Sequence, residues 1–95
     1  AMAEIDARLA AIAERFAAQS GDSAAAIAAA LDRESWTELA QLAHSLAGRA
    51  GMFGYGAIGD AARTLEEAID AGFPKEGIAD VARDLLDRMA LLNRT

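Results

Sequence analysis

The sequence contains no cysteine, which excludes disulfide scaffolds, thiolate zinc sites and cysteine nucleophiles together. A single valine, Val81, and few aromatic residues disfavour a β-sheet fold. No window approaches the roughly 20 apolar residues of a membrane span, and no basic start followed by an apolar stretch suggests a secretory signal. We therefore expect a cytoplasmic protein that has no membrane partner.

Positive charge is also scarce. Nine basic residues face fifteen acidic ones, which gives a net charge of −6 at pH 7. A chain of this charge repels a phosphate backbone, so nucleic acid is not expected as a partner.

What the sequence has in abundance is alanine. Apolar residues make up 54% of the 95 positions, and roughly half of them are alanine, the strongest helix former. The larger apolar side chains suffice for one modest core. We expect residues 1–95 to form one helical domain and interpret Ala1, which precedes Met2, as a vector-derived residue.

Glycine, proline and polar caps divide the chain into five predicted helices. The first runs from about Ala3 to Gln19 and ends at residues 20–22, and a short second helix reaches about Arg33. Ser35 and Glu38 form a predicted capping box for the third helix, which extends to about Met52.

The fourth predicted helix spans about Tyr55 to Ala71, with Gly72 as its C-terminal cap. Pro74 suits the first turn of the fifth helix. Connections this short favour antiparallel neighbours. The predicted fold is therefore all-α: an up-and-down antiparallel four-helix bundle with an additional N-terminal helix.

The third predicted helix carries His44, the single histidine of the chain. At about 100° per residue, its imidazole points away from the apolar face. The surrounding outward face consists of small or polar residues: Thr37, Ala40, Gln41, Ala47, Gly48 and Gly51. Each glycine costs a helix roughly 0.5–1 kcal/mol relative to alanine. Three explanations remain open at this point: a partner approaches His44 there, a neighbouring helix packs closely, or the glycines arose by sequence drift.

Residues 42–69, LAHSLAGRAGMFGYGAIGDAARTLEEAI, resemble the signature of histidine-containing phosphotransfer (HPt) domains. The match covers the histidine, the aliphatic residue after it, the following small residues, Phe-Gly and the closing Leu-Glu. It is closest to the phosphotransfer domain of chemotaxis-type histidine kinases. The matching positions are His44, Leu46, Gly48, Ala50, Gly51, Phe53, Gly54, Leu65 and Glu66.

The resemblance implies a phosphoryl carrier of a two-component phosphorelay rather than a stand-alone enzyme. His44 would be phosphorylated, and Glu66 would accept the hydrogen of the other ring nitrogen. The implied partners are response regulator receiver domains and a sensor or hybrid histidine kinase. Mg²⁺ is expected in the receiver, and neither a cofactor nor a metal site is expected in this domain. The expected partner contacts are Ala40, Gln41, Ala47, Gly48 and Gly51.

One position departs from the family pattern. The usual lysine three residues after the histidine is replaced by Ala47. Arg63, one turn before Glu66, is the candidate substitute for that positive charge. The alternative for Arg63 is a solvated pair with Glu67, worth a few tenths of a kcal/mol.

The sequence leaves two alternatives to a phosphorelay carrier. The first is the phosphate-accepting part of a chemotaxis-type kinase. The second is a docking bundle that is never phosphorylated, in which His44 is a relic.

Overall fold

The computed structural model describes the backbone of residues 2–92 and the side chains from residue 7 onward, except those at 9 and 13. It contains four helices: α1 (Met2–Asp32), α2 (Trp36–Met52), α3 (Gly56–Asp70) and α4 (Lys75–Leu92). Within residues 2–92 there is no β-strand. None of the described helices is long and apolar enough to cross a bilayer. The interpretation of Ala1 lies outside the described residues.

The four helices form a closed ring. α1 packs on α2, α2 on α3, α3 on α4, and α4 returns to α1. The turns at 33–35, 53–55 and 71–74 are three or four residues long, so consecutive helices run antiparallel. The predicted all-α, up-and-down bundle is confirmed.

Every helix contributes aliphatic side chains and alanines to one core. The apolar residues at helical spacing in the last three helices pack in this core, with Leu42, Ile69 and Val81 at its edge. Small alanines between the larger side chains let the helices approach closely. The largest core side chains that are almost fully buried are Ile27, Leu39, Leu46, Leu65, Leu85 and Met89.

The predicted break at residues 20–22 is wrong, because α1 is a single helix of 31 residues. Ser20 is buried and its hydroxyl donates to the carbonyl of Ala17 at 2.6 Å, a bond within the helix. Phe16 and Ile27 both reach the core, so packing on either side of Gly21 holds the helix together. The additional N-terminal helix is thus the first part of α1.

The predicted capping box is also wrong. Ser35 is the N-cap of α2 but makes no side-chain capping bond, and the Glu38 carboxylate instead pairs with Arg33 at 2.6 Å. The chain before α2 is fixed by backbone bonds, with Glu34 in a left-handed conformation and the Ser35 amide donating to Ala30 at 2.9 Å. Because these backbone bonds fix the turn after α1, the Ser35 hydroxyl has no capping role.

The other two turns end in the same way, with glycine at the left-handed position. Gly54 has φ +85° and Gly72, the predicted cap, has φ +74°. The amide of Tyr55 donates to Ala50 at 2.8 Å and that of Phe73 to Ala68 at 3.1 Å. The first of these bonds fixes the turn by which α3 returns along α2, and the second fixes the turn from α3 to α4.

We predict that Gly21→Ala raises the free energy of unfolding by about 0.5–1 kcal/mol. A Cβ at Gly21 would have no described atom within 4 Å, so the gain in helix propensity is not offset by a clash. Urea denaturation measures the change. The control is Gly54→Ala, which should lower stability by about 1–2 kcal/mol because alanine is strained at positive φ. A destabilised Gly21→Ala protein would mean that α1 is interrupted there.

Candidate functional site

His44 stands on the outward face of α2. Its side chain is 76% exposed, as the helix geometry predicted. Its Nδ1 atom lies 2.8 Å from Oε2 of Glu66, a residue of α3 whose side chain is 26% exposed. The imidazole therefore has one defined partner and an open side.

This contact determines where the ring proton resides. A carboxylate accepts hydrogen bonds and donates none, so Nδ1 carries the hydrogen. In the neutral ring the lone pair is then on Nε2, the nitrogen remote from Glu66. Glu66 fixes the tautomer and the orientation of an otherwise exposed side chain. The structure thus places Glu66 at the hydrogen-bond distance from His44 that the family resemblance implied.

The carboxylate reaches His44 because small residues line the contact between α3 and α2. Gly59 of α3 faces the backbone of α2: a Cβ at this position would lie 3.5 Å from the carbonyl oxygen of Ala47 and 3.6 Å from Cβ of Ala50. Glycine and alanine at this crossing bring the two helices together. In antiparallel register, Glu66 is then level with His44, as Gly59 is with Gly51.

The same close packing corrects the expectation for Ala47, which is 7% exposed and belongs to the core. It lies about 60° around α2 from His44, on the side that α3 covers. Ala47 therefore offers no exposed surface to a partner. Gln41, Gly48 and Gly51 are exposed as expected, and Ala40 is half-buried.

The two glycines beside His44 are not explained by packing within the chain. A Cβ on Gly48 or on Gly51 would have no described atom within 4 Å. The alternative of a closely packed neighbouring helix is therefore excluded for both positions. Their absent side chains leave free space about one turn from His44 at Gly48 and about two turns from it at Gly51.

Neither nearby arginine contacts His44. Nη1 of Arg63 lies 3.8 Å from Oδ1 of Asp60, so the expected pair with Glu67 is replaced by one with the preceding turn. Arg63 is 61% exposed, and such a surface pair is weak. Arg49 instead donates from Nη2 to the Ser23 hydroxyl of α1 at 3.2 Å.

Two features of this surface were missed from the sequence. The Arg49–Ser23 bond joins residues 26 positions apart, and no local pattern signals it. Met52 is 77% exposed at the end of α2, which its angular position relative to His44 could have indicated. Among the described residues, no group of three or more histidine or acidic side chains is arranged to hold a metal ion.

A family model described as Hpt domain matches residues 11–94. No curated protein and no solved structure matches the chain at a significant level. The family match covers all but the first turns of α1 and includes the His44–Glu66 pair. The chain belongs to the Hpt family, the histidine-containing phosphotransfer domains of phosphorelays.

Proposed function

We propose that the domain accepts a phosphoryl group on Nε2 of His44 from the aspartyl phosphate of a receiver domain and passes it to another response regulator. The observation that carries this proposal is the exposed imidazole whose Nδ1–H is held by Glu66 at 2.8 Å. This arrangement leaves one nucleophilic nitrogen open to a macromolecular donor.

In the proposed step the Nε2 lone pair attacks phosphorus while the acyl O–P bond of the aspartyl phosphate breaks. The leaving carboxylate retains the bonding electrons, and the ring keeps its Nδ1 hydrogen. The imidazole gains positive charge as the N–P bond forms, and the Glu66 carboxylate stabilises that charge. Phosphoryl transfer depends mainly on positioning and charge stabilisation. The reverse sequence moves the group to a second aspartate.

The remaining requirements fall to the partner. We assign Mg²⁺ and its acidic ligands to the receiver domain and a histidine kinase to the start of the relay. In this division the domain is a carrier, located in the cytoplasm. Gln41, Gly48 and Gly51, with Ala40 at their edge, form the surface that the receiver approaches. Transfer from a lone kinase catalytic domain and not from a receiver would instead identify a chemotaxis-type kinase domain.

The proposed function predicts an acid-labile, base-stable label on His44 after incubation with a phosphorylated receiver. His44→Gln should lose this label while its free energy of unfolding changes by less than about 0.5 kcal/mol, because the side chain is exposed. Phosphohistidine detection and urea denaturation measure the two properties. An unlabelled wild-type protein, tested with every receiver and kinase of the host, would identify a docking bundle instead.

Glu66→Gln should slow transfer about tenfold without a comparable loss of stability. Glutamine retains an acceptor for Nδ1–H but not the negative charge that stabilises the developing imidazolium. A hydrogen bond to a charged group is worth about 1.5–3 kcal/mol, and the exposure of His44 places this one near the lower limit. The control is Glu67→Gln, which removes the same charge from the adjacent exposed position. Equal rates for both variants would contradict the role of Glu66.

Arg63 is the proposed source of the positive charge that Ala47 does not supply. The pairs His44–Glu66 and Gly51–Gly59 set the register of α2 and α3. In this register Arg63 is level with Ala47, about one helical turn from Glu66. Its weak pair with Asp60 leaves the guanidinium free to turn toward a phosphoryl group on His44.

Arg63→Ala is therefore expected to slow transfer severalfold, and Arg63→Lys, which keeps the positive charge at this exposed position, should retain more of the rate. Initial rates from one phosphorylated receiver at low and moderate salt measure both effects. The matched control is Arg83→Ala, because Arg83 forms the same kind of exposed pair with Asp80 at 3.7 Å on α4. If Arg63→Ala and Arg83→Ala transfer at the same rate, the receiver supplies the charge by itself.

A further inference from the structure

Met52 has a large apolar side chain that is exposed to solvent. It is 77% exposed, more than Leu91 at 63% or Phe73 at 51%, the next most exposed large hydrophobic residues of the described chain. Buried apolar anchors near the centre of a contact contribute most of the binding energy at protein interfaces. An exposed methionine of this kind can act as such an anchor when a partner protein covers it.

Its position relates it to the phosphoacceptor histidine. Met52 is eight positions after His44, which corresponds to about 12 Å along α2 and about 80° around it. The exposed Gly48 and Gly51 lie between the two, and a Cβ at either would meet no described atom within 4 Å. A flat partner surface can therefore reach His44 and Met52 at once. A standard interface of about 800 Å² per partner spans such a distance.

The charges around His44 are distributed unevenly. Charged residues make up 25% of the chain, yet positions 41–59 contain a single charged side chain, Arg49, which is bonded to Ser23. In the other direction along α2, exposed carboxylates lie at Glu38, which pairs with Arg33, and at Glu67 and Asp70 on the neighbouring α3. On the Met52 side the nearest carboxylates belong to the neighbouring helices: Asp60 of α3 pairs with Arg63, and Asp22 of α1 adjoins Ser23, the partner of Arg49. The surface is thus more acidic on the Glu38 side of His44 than on the Met52 side, where α2 itself carries no acidic residue.

We infer that the receiver domain lies over the C-terminal half of α2, from His44 to Met52, and buries Met52 as its apolar anchor. This inference rests on the proposed function. A receiver presents a phosphorylated aspartate among other carboxylates, so the more acidic side of His44 repels it more strongly than the Met52 side does. The surface continues directly from the phosphoacceptor, which a second copy of this chain would have no reason to cover.

The test compares transfer rates from the preferred phosphorylated receiver at increasing receiver concentration. Met52→Glu should raise the half-saturating concentration about tenfold, equivalent to about 1.4 kcal/mol, and leave the saturating rate unchanged. Met52→Gln, which removes the apolar group without adding charge, should have a smaller effect. Met52→Leu should stay within about twofold of the wild type because volume and polarity are conserved.

Two matched controls place the same charge elsewhere. Thr37→Glu puts a carboxylate on the exposed face of α2, seven residues before His44, and Leu91→Glu removes another exposed apolar side chain from α4. Both should change the half-saturating concentration less than twofold. Equal weakening by Thr37→Glu and Met52→Glu would overturn the inferred placement. A wild-type dimer that Met52→Glu dissociates in sedimentation would also overturn it and assign the surface to a second copy.

Labelling by phosphoramidate, a donor that needs no protein surface, separates this inference from the proposed function. Wild type and Met52→Glu should label equally on His44, which shows that the variant is folded and reactive. Normal half-saturation of Met52→Glu by the receiver, with His44 labelled, would refute the inference alone. Absence of label on His44 with every donor would refute the proposed function as well.

Discussion

The close packing of α3 on α2 is the constraint on which the site depends. A Cβ at Gly59 would already be in van der Waals contact with α2, at 3.5–3.6 Å, so this position has room for a methyl group but not for a larger side chain. The approach aligns the two helices so that Glu66 comes within 2.8 Å of Nδ1 of His44. A wider helix spacing would leave the imidazole free to rotate and either ring nitrogen free to carry the hydrogen. Positioning of the nucleophile is thus a consequence of core packing two turns away.

The same constraint explains how the domain can keep its reactive group in solvent. A carboxylate and an imidazole at the surface gain little from each other in water, and a loosely held pair would lose side-chain entropy on ordering. Here one partner, Glu66, is three-quarters buried at the α2–α3 boundary and already ordered by it. Most of the side-chain entropy needed to form the His44–Glu66 pair is therefore already lost when the domain folds. The opposite side of the ring stays open, as the proposed transfer between two partners requires.

Much of the fold and of the site follows from the sequence because it depends on local spacing. The apolar periodicity of residues 39–50 determined which way His44 points, and glycine at 72 marked a helix end that the structure also contains. The errors arose where tertiary contacts outweigh local preference. Ser20 and Gly21 signal a turn, yet packing of Phe16 and Ile27 continues the helix through them. Ala47 belongs to the outward arc of an isolated helix, and its burial requires knowledge of where α3 lies.

The distribution of roles between domain and partner follows from the charges. Under the proposed function, a chain of net charge −6 accepts a phosphoryl group against the repulsion of its own negative charges. The site reduces this repulsion by keeping acidic residues out of positions 41–59 and by placing Arg63 level with the position of the absent lysine. Glu66 is the exception, and its carboxylate faces Nδ1, on the far side of the ring from Nε2, the nitrogen proposed to receive phosphorus. The negative charge of Glu66 therefore lies where it stabilises the imidazolium. Under the proposed function, the charges that act near Nε2 are those of the receiver.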